Sequence, residues 1–175
     1  MRDGLDIIAA RSEELGRFID AYSTLTRLPD PILAQFDVTP WIEQVAHLET
    51  RVQVAMESGP KLAIQADRGQ LDQLLINLVS NAVEAALEVN EKSAAEVTIT
   101  WQTTDKTLQV QVKDNGPGLD QTRDVFVPFF TTKTQGCGIG LALSRQIAEA
   151  HSGYLTLENR ADSVGCIASL WLPIS

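Results

Sequence analysis

From residue 4 to residue 27 apolar side chains return on a seven-residue rhythm. Ile8, Leu15 and Tyr22 form one row, Phe18 and Leu25 a second, and Arg11, Glu13, Glu14, Arg17 and Asp20 fall largely on the other side. That spacing predicts one amphipathic helix. A lone helix of this length is marginal in water, so it packs either on its own domain or on a second chain. Pro29-Asp-Pro31 stops it, because proline lacks a donor and restricts the residue before it. The domain boundary falls there, with 30–35 as a linker and 36–175 as the main domain.

Beyond Phe36 the pattern alternates between strand and helix periods. A short strand is expected over 36–38, then a helix to residue 49 with Thr39 as N-cap and Pro40 at its first position. Segments 52–57 and 62–66 read as a hairpin around Ser58-Gly-Pro60. Asp67 and Gln70 make a capping-box-like start to a long helix, 68–90. Segments 97–103 and 107–113 alternate apolar and polar, as half-buried strands do. No period runs through 115–138. A helix over 139–151, closed by Gly153, and a second hairpin from 154–158 and 166–172 complete the chain. The sum is an α+β fold: a two-layer α/β sandwich, with a mixed sheet carrying helices on one face, plus the N-terminal helix.

Composition removes several function classes. The 175 residues carry a formal net charge of −9, which argues against nucleic acid or an anionic membrane as partner. No apolar run approaches the roughly 20 residues that cross a bilayer, so no membrane contact by this segment is expected. Two cysteines without a paired spacing suit reduced thiols in a cytoplasmic protein.

Three clusters carry the chemistry. At about 100° per residue, Asn77, Asn81, Glu84 and Glu88 share one stripe of the long helix, opposite an apolar face. Such a stripe can be a plain solvated face, and Glu88 is read so. Two asparagines one turn apart are less ordinary, since asparagine is a mediocre helix former. An amide oxygen can ligate Mg²⁺ without adding negative charge beside a triphosphate. Next comes Asp114-Asn-Gly-Pro-Gly118 at a strand end. A carboxylate there accepts from an exocyclic amine, which adenine carries where guanine has a carbonyl, and Gly116 and Gly118 let backbone approach a flat ring. The bland reading is an Asn-Gly turn. Finally, Gly136-Cys-Gly-Ile-Gly140-Leu141 opens a helix whose free N–H groups suit phosphates. Lys133, just upstream, reaches a β- or γ-phosphate or stands as a solvated charge.

In this order the elements resemble the ATP-binding catalytic domain of sensor histidine kinases, within the GHKL superfamily. Asn77-Leu-Val-Ser-Asn81-Ala resembles the family's N box, and Phe126-Val-Pro128-Phe129-Phe130 its F box, an aromatic clasp for an ATP lid. The resemblance makes Asn81 the metal ligand and places Asn77 along the phosphates. It implies ATP and Mg²⁺ as cofactors, with Asn77, Asn81 and Lys133 catalytic. The nucleotide would be lined by Asn77, Asn81, Glu84, Asp114, Gly116, Gly118, Phe130, Thr131, Thr132, Lys133, Gly136, Cys137, Gly138, Ile139, Gly140 and Leu141.

The branch of the superfamily follows from one position. Its gyrase, mismatch-repair and chaperone ATPases, and its serine kinases, carry a glutamate base where this chain has Asn77. An amide cannot take a proton from water or a serine hydroxyl, whereas an unprotonated imidazole is already nucleophilic. Histidine is the expected acceptor. Neither His47 nor His151 lies in the family's acceptor motif, however. Residues 4–28 resemble the second helix of the dimerisation hairpin, so the chain is expected to be a piece of a larger homodimeric sensor kinase. That kinase would pass its phosphoryl group to a response regulator. The alternatives are a stand-alone ATPase or serine kinase, and an interaction module with a vestigial site.

Overall fold

A computed structural model describes residues 28–119, 125–128 and 138–174, together with Gly16 and Ser23, both helical. The expected 4–27 helix otherwise lies outside the described residues. In chain order the elements are β1 (Ala34–Asp37), α1 (Val38–Leu48), β2 (Val54–Met56), β3 (Ala63–Ala66) and α2 (Arg68–Val89). Then come β4 (Val97–Thr104), β5 (Thr107–Asp114), α3 (Gly140–Ala150), β6 (Tyr154–Asn159) and β7 (Cys166–Pro173).

Five strands form a mixed sheet in the order β2-β4-β5-β7-β6, with β2 parallel to β4 and every other pair antiparallel. Its inner face presents Val97, Ile99, Leu108, Val110, Val112 and Leu170 to the helices, all at most 1% exposed. The outer face pairs polar side chains, Gln102 with Gln109 and Gln111 with Ser169, and stacks Tyr154 on Trp171. Strict alternation produced this division, because successive strand residues point to opposite faces.

Helix α2 buries Leu71, Leu74, Leu75, Leu78, Val79 and Val83 against the sheet and its neighbouring helices. Asp67 caps it, Oδ1 accepting from the Gln70 N–H at 3.1 Å. The reciprocal half of the capping box is not made. Instead the Asp67 N–H donates to His151 Nε2 at 3.0 Å, and the Gln70 side-chain amide donates to the Pro29 carbonyl. Pro29 is therefore pinned to the start of α2, which is itself joined to the end of α3.

The architecture agrees with the expected sandwich, with three local corrections. Segments 52–57 and 62–66 do not pair with each other: β2 lies parallel to β4, while β3 pairs antiparallel with β1 in a separate two-stranded sheet. The Ser58-Gly-Pro60 stretch cannot fold back because it is held by β4. Trp101 Nε1 donates to the Pro60 carbonyl at 3.2 Å, and Gly59 lies so close to the indole that no side chain fits there. Second, α1 begins at Val38, with Asp37 rather than Thr39 at the N-cap. Val38 is fully buried, and drawing it into the core starts the helix earlier than the capping pattern implies. At the end of α3 the left-handed residue is Ser152, with φ 58°. Gly153 is required for a different reason: a side chain would collide with the Trp171 carbonyl.

Candidate nucleotide site

The site lies where the asparagine stripe of α2, the end of β5 and the first turn of α3 meet. Asn77 faces α3. Its Nδ2 donates to Ser144 Oγ at 2.9 Å, and its Oδ1 lies against Gly140, where any Cβ would collide with it. Ser144 is 1% exposed, so this buried hydroxyl finds its partner in Asn77, as a buried polar group must. Asn77 thereby sets the separation of the two helices. Asn81 follows one turn later, half-buried on the same stripe.

Helix α3 starts at Gly140 behind Gly138, whose φ of 65° favours glycine. Its N-cap is Ile139, which offers no side-chain acceptor to the first-turn N–H groups. Leu141 packs against the hydrophobic core.

Asp114 ends β5 and is 5% exposed. Its Oδ1 accepts from the Gly116 N–H at 2.8 Å, closing a tight turn, and from the Cys166 N–H at 3.2 Å. Burial pushes its carboxyl above the usual range, against those two donors and the Arg160 charge. Gly116 backs onto α2: a Cβ would stand 2.7 Å from the Ala85 carbonyl. Gly118, at φ 83°, lies beside the Asn159 amide. Both glycines thus permit close approach, one to a helix and one to the next turn.

Sequence reasoning missed several residues that build this corner. Asn115 Oδ1 accepts from the Glu96 N–H at 2.9 Å, and its Nδ2 donates to the Ala94 carbonyl at 2.8 Å. Asn159 Oδ1 accepts from the Leu119 N–H at 2.5 Å, while its Nδ2 donates to the Leu119 carbonyl at 3.1 Å. Arg160 Nη1 donates to the Asp114 carbonyl at 3.2 Å. Gly165, at φ 133°, lets the chain pass against that same carbonyl. The available signal was a glycine immediately before a strand, in Val164-Gly-Cys166, which marks close backbone approach.

Glu84 turns toward the loop after α1. Ser80 Oγ donates to its Oε1 at 3.2 Å, and Arg51 Nη1 stands 3.5 Å from the same oxygen while its Nη2 pairs with Glu49 at 2.7 Å. Phe126 is half-buried against the core, with the Arg145 guanidinium 5.2 Å from its ring centre. Phe129, Phe130, Thr131, Thr132, Lys133, Gly136 and Cys137 lie outside the described residues. Among the described residues no three His, Cys, Asp or Glu side chains gather as a metal cluster. Among the described residues no helix is long and apolar enough to cross a membrane.

A two-layer sandwich with an asparagine-bearing helix, a buried strand-end carboxylate and a glycine-led helix defines a nucleotide-binding module of the ATPase and kinase type. Residues 66–175 match the family described as histidine kinase-, DNA gyrase B- and HSP90-like ATPase, and the chain belongs to it. It is 37% identical over 135 residues to the signal transduction histidine-protein kinase AtoS of Escherichia coli. That match covers 75% of this chain and 21% of AtoS, so the chain spans about a fifth of that relative's length. The catalytic domain of the histidine kinase ThkA superposes with a TM-score of 0.71 at 30% identity, covering 82% of this chain and 96% of that one. ThkA in complex with the response regulator TrrA gives 0.76 at 25% identity, over 97% and 50% of the two chains. Full-length ShkA in complex with AMPPNP gives 0.79 at 25% identity, over 99% and 39%.

Proposed function

We propose that this chain is the ATP-binding catalytic part of a two-component sensor histidine kinase. It would transfer the γ-phosphoryl of ATP to a histidine on a dimerisation hairpin, from which a response regulator takes it. The observation that carries the reading is the buried Asp114 carboxylate at the end of β5, flanked by Gly116 and Gly118. In this reading it accepts from the exocyclic amine of adenine. Both observed hydrogen bonds are made by Oδ1, and Oδ2 is the oxygen assigned to the amine.

Phosphates belong at the start of α3, whose first-turn N–H groups and positive dipole end favour anions. Asn81 would hold Mg²⁺. The donor set fits, because Mg²⁺ takes few protein oxygens and completes its shell with phosphate and water. Held there, Mg²⁺ would supply positive charge to offset that of the phosphates. Asn77, fixed by Ser144 and Gly140, keeps α2 and α3 at the spacing the triphosphate needs. Neither it nor Asn81 can act as a base, which favours an acceptor whose attacking atom carries a lone pair and no proton. A neutral imidazole is one.

That acceptor lies outside this chain. His151 is buried and uses both ring nitrogens, Nδ1 with the Ile147 carbonyl at 2.8 Å and Nε2 with the Asp67 N–H. The AtoS, ThkA and ShkA likenesses support a kinase, and the ThkA complex with TrrA supports a response-regulator partner. The seven-residue apolar rhythm of residues 4–28 supports a homodimer in the parent protein. Calorimetry with Mg-ATP, followed by phosphoryl transfer to a supplied hairpin, tests the reading. Nucleotide binding with phosphate release to water, and none to the hairpin, would favour the ATPase alternative.

A further inference from the structure

An acidic side chain serves an incoming amine as a charge-assisted acceptor only while it is ionised. Asp114 sits where burial opposes ionisation, and its two hydrogen-bond donors are neutral backbone groups. Among the described residues, Arg160 supplies the positive charge that acts on it. Arg160 follows β6 and is fixed from several directions. Its N–H donates to the Gly165 carbonyl at 3.0 Å, which closes the turn between β6 and β7. Its Nη1 donates to the Asp114 main-chain carbonyl at 3.2 Å, while Nε and Nη2 hold Asp162 at 3.1 and 3.0 Å. A side chain at position 165 would strike the Asp114 carbonyl and crowd the Arg160 stem. The glycine is what lets the guanidinium lie along the Asp114 main chain.

We propose that Arg160 is a positioning residue for base recognition: its guanidinium, docked on the Asp114 main chain, keeps the Asp114 carboxylate charged and ready for the adenine amine. The inference rests on the ATP reading above. Other ionisable groups around the turn do not take over this role. Asp162 and Glu96 act on Arg160 and carry the wrong sign. The Cys166 thiol, pushed up to about 12 by burial and the Asp114 charge, stays neutral. From α2 the residue against the turn is Ala85, which has no charge.

Arg160→Met keeps the apolar stem and removes the charge, whereas Arg160→Lys keeps the charge and loses the planar fork. Carbon-13 NMR of the Asp114 carboxyl in the nucleotide-free protein should show its titration midpoint lying higher in Arg160→Met than in the parent. Arg160→Lys should return it most of the way. Calorimetry across the same pH range should show ATP affinity falling on acidification, and doing so at higher pH in Arg160→Met than in the parent. Well above both midpoints the two should bind within a few-fold. Superposable Asp114 titrations in parent and Arg160→Met would overturn the proposal, as would an affinity loss equal at every pH. If the parent binds no ATP, the adenine assignment fails, and the Asp114 midpoint still decides the role of Arg160.

Discussion

Replacing Asp114 with asparagine separates recognition from folding. The new Oδ1 occupies the position that accepts from the Gly116 and Cys166 N–H groups at 2.8 and 3.2 Å, so the turn keeps both bonds. What changes is the other arm, where an amide donor replaces a carboxylate oxygen and meets the adenine amine donor to donor. A hydrogen bond to a charged acceptor contributes about 1.5–3 kcal/mol, so ATP affinity should fall by about tenfold to a hundredfold. Stability should move the other way. The folded-state pKa of Asp114 is raised by burial, so the fold favours the protonated form. Ionised Asp114 therefore costs stability at neutral pH, and that cost is relieved as pH falls through the raised value. The neutral amide removes it, and nucleotide-free Asp114→Asn should melt at or above the parent temperature at pH 7. Guanine carries a carbonyl where adenine has its amine, so the ATP-to-GTP affinity ratio should also narrow. Calorimetry with both nucleotides and a thermal melt at pH 7 check this. Unchanged ATP affinity in a folded Asp114→Asn protein would falsify the adenine assignment.

Asn81→Ala should weaken nucleotide binding more in Mg²⁺ than in a chelator, and an equal loss in both, measured by titration, would make Asn81 structural. Gly116→Ala puts a methyl group 2.7 Å from the Ala85 carbonyl, so overpacking should cost about 1–3 kcal/mol in denaturant melts; a neutral result would mean that the turn and α2 separate easily. Cys166, held neutral by a pKa of about 12, should resist alkylation at pH 8, whereas Cys137 should react and be shielded by Mg-ATP, as timed mass spectrometry can report. The chain should not label itself from radiolabelled ATP, and acid-labile label on His47 or His151 would contradict that.

Much of the sandwich was legible from local rhythm. Strands β4, β5, β6 and β7 and helices α2 and α3 stand where alternation and helical spacing place them, because those patterns record which side of each element faces the core. The chemical cues were local too. Asp114 with Gly116 and Gly118 is a five-residue turn, and the Asn77–Asn81 pair is one turn of helix.

Contacts across the chain were not legible. Asn77 meets Ser144 across 67 positions, and Asp114 takes its second donor from Cys166 across 52. Nothing in either segment's own rhythm names the other. Strand pairing failed for the same reason. Segments 52–57 and 62–66 have the lengths and the turn residues of a hairpin, yet Trp101 claims the turn between them and sends each strand to a different sheet. Periodicity tells a segment which face to bury, while the identity of its neighbour depends on which distant groups can satisfy its edge donors and acceptors together. Only the closed fold settles that choice, and it is the fold that brings Arg160 and Gly165 to the Asp114 carbonyl.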